Sequence, residues 1–230
     1  MNLIRKMNSD SRSRSAAKAA AESPDREAAG TPRARLRDRL RAETRQVILA
    51  AAEEALGQHG ARGARMELIA AAAGLAVGTL YNYFSDRQEL IEALFESRRG
   101  ELVLALDAAL ARSAAEPFEQ RLAAFLWAGL EHFRTHRRFI ALVLQDELTS
   151  GEGSRWSMQL ELRARAERLI ASGIDAGLLR AEDRETYPHI IVGLLKGLVE
   201  PALGAGLDSA PLHRVEAAIR CFMSGARKLA

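Results

Sequence analysis

The spacing of apolar side chains is the feature that most constrains the fold of this chain. From about Leu36 onward, apolar residues recur every three or four positions, and no segment alternates apolar and polar residues for long enough to form a convincing strand. Gly60 follows the first apolar stripe, at the point where a helix commonly ends in a left-handed residue. The pattern therefore predicts an all-α protein. The first stripe consists of Ile48, Ala51, Ala52, Ala55 and Leu56.

Caps and breakers divide the chain into further helices. Short helices are predicted at about Met66–Ala73 and from Val77 to about Phe84, and Asp86 followed by Glu89 is an acidic capping box that opens a long helix to about Ala111. Pro117 suits the first turn of the next helix. The remaining helices are predicted at about 139–148, 154–176, 183–204 and 211–228.

Composition narrows the class of protein. The single cysteine, Cys221, excludes an intramolecular disulfide, and its apolar neighbours predict that it lies in the core. The longest apolar stretch, 189–207, contains charged residues and a proline and makes a poor membrane span. The amino terminus has no apolar core of a signal peptide. These features predict a soluble cytoplasmic protein with no membrane partner.

Positive charge is concentrated at the start of the chain. Residues 1–46 hold 12 Lys/Arg against 6 Asp/Glu, whereas residues 100–230 hold 16 against 17. The basic run indicates either phosphate neutralisation on a nucleic acid or a solvated tail and helix face. Residues 1–35, rich in Ser, Arg and Ala, are predicted to be a disordered basic tail. The run consists of Arg33, Arg35, Arg37, Arg39, Arg41 and Arg45.

The segment Met66–Tyr83 carries the functional signal. It contains two short helices separated by Gly74-Leu75-Ala76, and a short turn containing glycine is typical of a helix-turn-helix. The second helix of such a motif can enter the major groove of DNA. A structural pair of helices gives the same pattern, so the spacing alone leaves both interpretations open.

The longer stretch from Arg45 to Arg98 resembles the DNA-binding domain of the tetracycline-repressor (TetR) family. Three runs carry the resemblance, and the long helix beginning after Asp86 follows in the expected place. Beyond residue 112 the similarity is limited to the number and length of the helices. The runs are Leu68-Ile69-Ala70-Ala71-Ala72-Ala73-Gly74-Leu75, Gly78-Thr79-Leu80-Tyr81-Asn82-Tyr83-Phe84 and Asp86-Arg87-Gln88-Glu89-Leu90.

The resemblance implies a role for individual residues. The segment Val77–Tyr83 would be the recognition helix, Leu80 and Phe84 would be core, and Arg65 would be a phosphate contact or a solvated side chain. Base contacts would come from Val77, Gly78, Thr79 and Tyr81, and phosphate contacts from Tyr83 and Arg87.

Three positions depart from the family pattern. Arg65 stands where Ser or Thr often caps the first helix of the motif, and Ala76-Val77 lacks the usual polar cap and reader. Ala61 replaces the usual aromatic residue after the glycine of the first helix. These departures reduce what can be inferred about the operator sequence.

The resemblance also implies a homodimer that binds a palindromic operator and is released by a small effector. The near absence of a charged motif around the candidate pocket indicates a mainly hydrophobic effector, which could be aromatic or lipid-like. The candidate ligand-binding residues are Phe125, Gly129, Phe133, Leu142 and Trp156. The candidate dimer-interface residues, which include a Gly-x-x-x-Gly step, are Gly193, Gly197, Val215, Ile219 and Phe222.

No catalytic constellation is recognisable, so the sequence predicts neither an enzyme nor a cofactor. His132 and His136 are four residues apart on a predicted helix, but Glu131 precedes the first histidine and the zinc-protease motif is absent. The pair is interpreted as structural, with no metal.

The predicted architecture is therefore a tail (1–35), a three-helix helix-turn-helix domain (36–85) and a larger helical effector-binding and dimerisation domain (86–230). Its predicted function is that of a ligand-responsive transcriptional repressor. The alternative is an architectural DNA-binding or protein-interaction module without an effector, and a drug-sized cavity would favour the repressor.

Overall fold

The computed structural model describes residues 31–144, 152–205 and 212–226, with side chains described outside 141–157 and 200–213. Most of these residues are helical, and none of them forms a β-strand, as predicted. The helices are α1 (Pro32–Gly63), α2 (Met66–Ala72), α3 (Val77–Tyr81), α4 (Arg87–Arg112), α5 (Phe118–Thr135), α6 (Arg137–Leu144), α7 (Glu152–Asp175), α8 (Tyr187–Ala205) and α9 (Leu212–Ala226), with a 3-10 turn at Ala181–Asp183.

The chain divides into two compact units, one ending at Arg45 and the other beginning at Gln46. In the first unit, helix α1 begins at Pro32, four residues before the expected start at Leu36. Thr31 caps it, because its hydroxyl accepts a hydrogen bond from the Ala34 amide at 3.3 Å, and proline is favoured at the first helical position. The rest of the predicted tail, residues 1–30, lies outside the described residues.

The second unit begins with the buried stripe of α1. All five residues of the predicted stripe are buried, and Gly60 adopts the predicted left-handed conformation with φ of 69°. This conformation interrupts the helix before its last residues.

Helices α2 and α3 form the predicted pair around Gly74. Gly74 has φ of 68°, its amide donates to the Ala71 carbonyl, and the Leu75 amide donates to the Ala70 carbonyl at 2.9 Å. These two hydrogen bonds form the Schellman motif, which ends a helix at a left-handed glycine. Leu80 and Phe84 are buried as predicted and hold the pair on the core.

Helix α4 begins at the predicted capping box. The Asp86 carboxylate accepts from the Glu89 amide at 2.8 Å, and the Glu89 carboxylate accepts from the amide and hydroxyl of Ser85. The predicted stripe of α4 is buried except for Ala105, which is half-buried. The buried members are Ile91, Leu94, Phe95, Leu102, Leu106 and Ala109.

The later helices bury one common core. The stripe predicted on α5 is buried and consists of Leu122, Leu126, Gly129, Leu130 and Phe133. A Cβ added at Gly129 would lie 2.7 Å from a Leu195 methyl carbon, so α5 and α8 pack closely there. Helix α7 ends at Asp175, just before Gly177 with φ of 70°.

Three expectations for α9 are wrong. Cys221 is exposed, whereas Val215 and Phe222, expected at a dimer interface, are buried in the chain's own core. The Phe222 ring packs edge-on against Tyr187, with ring centroids 5.5 Å apart. The face with Val215 and Phe222 thus packs inward, and Cys221 falls on the opposite face. Among the described residues, no helix is both long and apolar enough to cross a bilayer.

Candidate functional site

The first candidate site is the outer face of α3. Gly78 and Tyr81 are exposed, with Tyr81 at 47%, while Val77 and Thr79 are half-buried. Leu80 occupies the opposite face and is fully buried. The candidate base-reading residues are therefore not enclosed in the protein, and a helix with this exposure can be laid against a duplex.

The two helix starts of the motif lack side-chain caps, as the sequence indicated. Neither Arg65 before α2 nor Ala76 before α3 provides a capping hydrogen bond from its side chain. Arg65 is exposed. Its guanidinium therefore lies at the solvent side of the motif, where a phosphate could be reached.

Arg87 has a role that the sequence did not reveal. Its Nε donates to the Ala64 carbonyl at 2.9 Å, and one of its Nη atoms donates to the Ala61 carbonyl. The Ala61 carbonyl belongs to the last turn of α1, and the Ala64 carbonyl follows the end of that helix. The side chain thus ties the start of α4 to the entrance of the helix-turn-helix, and its predicted phosphate contact stays a prediction. Tyr83 is half-buried and packs against the core.

The basic run in the first unit is exposed along α1. Some of its charge is compensated locally, because Arg39 donates to Glu43 at 2.9 Å and Arg37 lies 3.9 Å from Asp38. Its contact with DNA remains a prediction.

The second candidate site is a groove between α4 and α5. It has a volume of about 760 Å³, and alanines with Trp127 form much of its apolar lining. Glu101, His132 and His136 lie at one part of the groove, and Arg112, Glu116 and Glu131 add charge elsewhere. The lining is therefore more polar than the sequence predicted.

The predicted ligand-binding residues do not line this groove. Phe125 and Phe133 are buried in the core, and Gly129 faces Leu195 of α8. Helix α5 turns these side chains inward and presents the intervening residues Ala124, Trp127 and Ala128 to the groove. Leu142 and Trp156 lie outside the residues whose side chains the structure describes.

A buried ionic cluster joins three helices beside the groove. Arg98 on α4 donates through Nε to Glu53 on α1 at 2.7 Å and through Nη1 to Glu101 at 2.5 Å. His136, which follows α5, places Nδ1 at 2.9 Å from Glu53 and Nε2 at 3.0 Å from Glu101. The ring of His132 lies next to that of His136, with centroids 4.7 Å apart.

The protonation of the cluster follows from its burial. Burial, followed by the charge of His136, lowers the pKa of His132 to about 4, so this imidazole is neutral at neutral pH. Burial acts to raise the pKa of Glu53, but the hydrogen bond from His136 and the charge of Arg98 leave it below its usual value. Glu53 therefore stays ionised.

Sequence reasoning identified the histidine pair but interpreted it only as structural, and it missed the rest of the cluster. The available signal was local, since four-residue spacing places both histidines on one helix face and Arg98 lies three residues before Glu101. Glu53 is 83 residues from His136, and no local pattern connects them.

The Gly-x-x-x-Gly step of α8 is exposed. Gly193 and Gly197 face away from the core, and a Cβ on either would meet no atom within 4 Å among the described residues. Ile219 of α9 is half-buried against the core. The exposed step leaves room for a second helix to approach α8.

Comparison with known proteins finds a family match for part of the chain and a relative that is similar over most of it. Residues 48–94 match the family model of bacterial regulatory proteins of the tetR family. The uncharacterised HTH-type transcriptional regulator YhgD of Bacillus subtilis is 26% identical over 161 residues, which is 68% of this chain and 83% of that protein.

Solved structures share the fold beyond the DNA-binding domain. The fatty acid degradation regulator FadR of Bacillus halodurans superposes with a TM-score of 0.68 at 23% identity, covering 79% of this chain and 95% of that one. FadR of Bacillus subtilis in complex with stearoyl-CoA gives 0.65 at 20% identity, covering 78% and 98%. Residues 48–94 therefore match the DNA-binding domain of the tetR family of bacterial regulatory proteins, and the helical domain that follows shares its fold with solved regulators.

Proposed function

We propose that the chain is a ligand-responsive transcriptional repressor that binds a palindromic operator as a homodimer. The observation that carries the proposal is the outer face of α3, where Gly78 and Tyr81 are exposed while Leu80 anchors the helix in the core. An anchored, outward-facing helix is suited to reading the major groove. Val77 and Thr79 would contribute further base contacts, and Arg65, Tyr83 and Arg87 would position the backbone.

A homodimer supplies the second recognition helix. Two-fold symmetry would place the two α3 helices about one DNA turn, ~34–36 Å, or a multiple of it apart. The exposed Gly193 and Gly197 of α8 support a close helix-helix contact between two chains.

The groove between α4 and α5 supports a small effector. Its volume of about 760 Å³ lies in the ~300–1,000 Å³ range of small-molecule sites, which favours the repressor over a module without an effector. Helix α4 lines the groove, and its first residue, Arg87, holds the segment that leads into the helix-turn-helix. An effector that prefers one position of α4 would therefore shift the DNA-binding equilibrium. FadR of Bacillus subtilis, which binds stearoyl-CoA, supports an acyl chain as one candidate effector.

The proposal is tested by selecting bound sequences from a random duplex library with the full-length chain. We expect an inverted repeat, and Thr79→Ala should change the selected bases within each half-site. Thr186→Ala, which changes an exposed threonine just before α8, is the matched control and should select the wild-type sequence. Failure to enrich any sequence, or identical selection by Thr79→Ala and wild type, would contradict the proposal.

Gly78 offers a second test that separates DNA binding from folding. A Cβ at Gly78 meets no atom within 4 Å among the described residues, and alanine favours helices over glycine by up to ~1 kcal/mol. Gly78→Ala should therefore leave the protein at least as stable, while its added methyl group hinders close approach to DNA. Operator affinity, measured by fluorescence anisotropy, should fall; unchanged affinity would remove Gly78 from the interface.

A further inference from the structure

We propose that Glu101, His132 and His136 bind a divalent transition-metal ion of the Zn²⁺ class. One potential ligand atom from each residue lies within 4.8 Å of the others, and two imidazoles with a carboxylate form a donor set that such ions favour. The three residues lie on α4 and at the end of α5, beside the groove. The operator proposal does not use this cluster.

His132 provides the strongest evidence for a ligand. Only 6% of the residue is exposed, and its Nε2 is buried without a hydrogen-bond partner in the described part of the chain. A buried polar atom without a partner costs free energy, and native proteins rarely leave one. A neutral imidazole nitrogen beside a second imidazole and a carboxylate is a ready metal ligand.

His136 and Glu101 are already oriented for coordination. Nδ1 of His136 faces Glu53 at 2.9 Å, which is the carboxylate–histidine arrangement that directs the other ring nitrogen toward a metal. One oxygen of Glu101 is held by Arg98, and the other lies 3.0 Å from Nε2 of His136. The two prospective ligand atoms are therefore adjacent.

The three prospective ligand atoms, which lie within 4.8 Å of one another, need to move only slightly closer to coordinate one ion. Bonds of ~2.0–2.2 Å in tetrahedral geometry place ligand atoms roughly 3.4 Å apart, so rotation of the side chains can bring the three donors together. Three protein ligands leave a fourth position for water or another ligand, and the groove gives access to it.

The surrounding charges favour a cation. Glu53 and Glu101 contribute two carboxylates, whereas Arg98 contributes one guanidinium, and His132 is neutral. Metal binding requires His136 in its neutral form, and in that form the two carboxylates outnumber the one guanidinium. The site in its metal-binding form therefore favours a cation.

The experiment uses the full-length chain stripped with EDTA and titrated with Zn²⁺ by calorimetry. We expect one ion per chain. Co²⁺ serves as the spectroscopic probe, because the intensity of its visible bands reports coordination number. Binding is read on the protein alone, so the result is independent of whether the chain binds an operator.

Variants distinguish this site from surface binding. Glu53→Gln should weaken Zn²⁺ binding by roughly 10- to 100-fold, as expected for loss of a group that supports a ligand. His132→Ala and Glu101→Gln should weaken it further and abolish the intense Co²⁺ bands. Circular dichroism establishes that each variant is folded, and Glu101→Gln changes a partly exposed side chain, so it should fold even where His132→Ala does not.

His59→Ala, which removes an exposed histidine of α1, is the matched control and should bind as wild type does. Lack of binding by wild type, or equal binding by Glu101→Gln and wild type, would overturn the proposal. Loss of binding in His59→Ala alone would likewise overturn it by assigning the ion to the surface.

Discussion

At the scale of single residues, Arg87 makes hydrogen bonds within the protein that its expected role as a phosphate contact did not include. Its position in the run Asp86-Arg87-Gln88-Glu89-Leu90 suggested a phosphate contact. In the folded chain, its guanidinium donates to carbonyls of Ala61 and Ala64, 26 and 23 residues earlier. Such carbonyls would otherwise lack partners where α1 ends. Arg87 thus supports the geometry of the motif whether or not it also reaches DNA.

Arg87→Ala should lower the free energy of unfolding by about 2 kcal/mol, because hydrogen bonds from charged groups contribute ~1.5–3 kcal/mol. Urea denaturation followed by circular dichroism measures the change. Arg65→Ala, which removes an exposed arginine of the same motif, should remain within ~0.5 kcal/mol of wild type. An unchanged urea midpoint for Arg87→Ala would mean that these two hydrogen bonds do not stabilise the fold.

Arg98 is the residue whose loss should be most costly. Arg98 is 7% exposed and lies between Glu53 and Glu101. Arg98→Met should destabilise the chain by about 3–5 kcal/mol, because it removes the guanidinium that compensates these carboxylates. Adding Glu53→Gln should recover part of this loss. Arg163→Met, which breaks the exposed pair with Glu167, should cost less than ~1 kcal/mol. Equal losses for the two arginine variants in urea denaturation would contradict the assignment.

At the scale of helices, the sequence predicted closely which side chains face the core. The stripes on α1, α4 and α5 are buried almost as expected, since a period of 3.6 residues determines which side chains share a face. The capping box at Asp86 and the left-handed Gly60 also agree with the prediction, because these signals are local. The candidate ligand-binding residues of α5 belong to its core face, and the groove is lined by their neighbours, so their contact with a ligand stays a prediction.

Two glycines on neighbouring helices should respond in opposite ways to alanine. Gly129→Ala places a methyl group against Leu195 and should cost about 1–3 kcal/mol, whereas Gly100→Ala meets no atom within 4 Å among the described residues and should stabilise α4 by up to ~1 kcal/mol. Thermal unfolding of the two variants gives the comparison. A stable Gly129→Ala protein would mean that α5 and α8 pack less closely than described.

At the scale of the whole molecule, helix α8 has one face in the core and another exposed. Ile191, Leu195 and Val199 are buried, while Gly193 and Gly197 are exposed. On α9, Val215 and Phe222 occupy the core, so a dimer contact would have to use the opposite face of that helix. The face around Gly193 and Gly197 is therefore the surface from which we predict dimerisation.

Gly193→Leu combined with Gly197→Leu should convert a dimer into a folded monomer. No atom of the described residues lies within 4 Å of a Cβ at either position, so the added side chains should disturb only a contact with a second chain. Sedimentation equilibrium measures the mass, and circular dichroism checks the fold. Gly78→Leu, the same change on α3, should remain dimeric. A monomeric wild type, or a double variant that remains dimeric, would contradict this interface.

By itself the sequence determined the helical class, most core faces and the position of the turn at Gly74. Each depends on residues within a few positions of one another, and periodicity, caps and positive-φ glycines record such relations directly. One local signal, Thr31-Pro32 at the start of α1, was present but not recognised.

Only the tertiary structure decided which face meets which neighbour. It brought Glu53 to Arg98 and His136, placed the Arg87 guanidinium on two distant carbonyls, and turned Phe125 inward while Trp127 lines the groove. These contacts join residues far apart in the chain, and a repeating pattern along one helix carries no information about the helix packed against it. The proposed metal site arises from that packing.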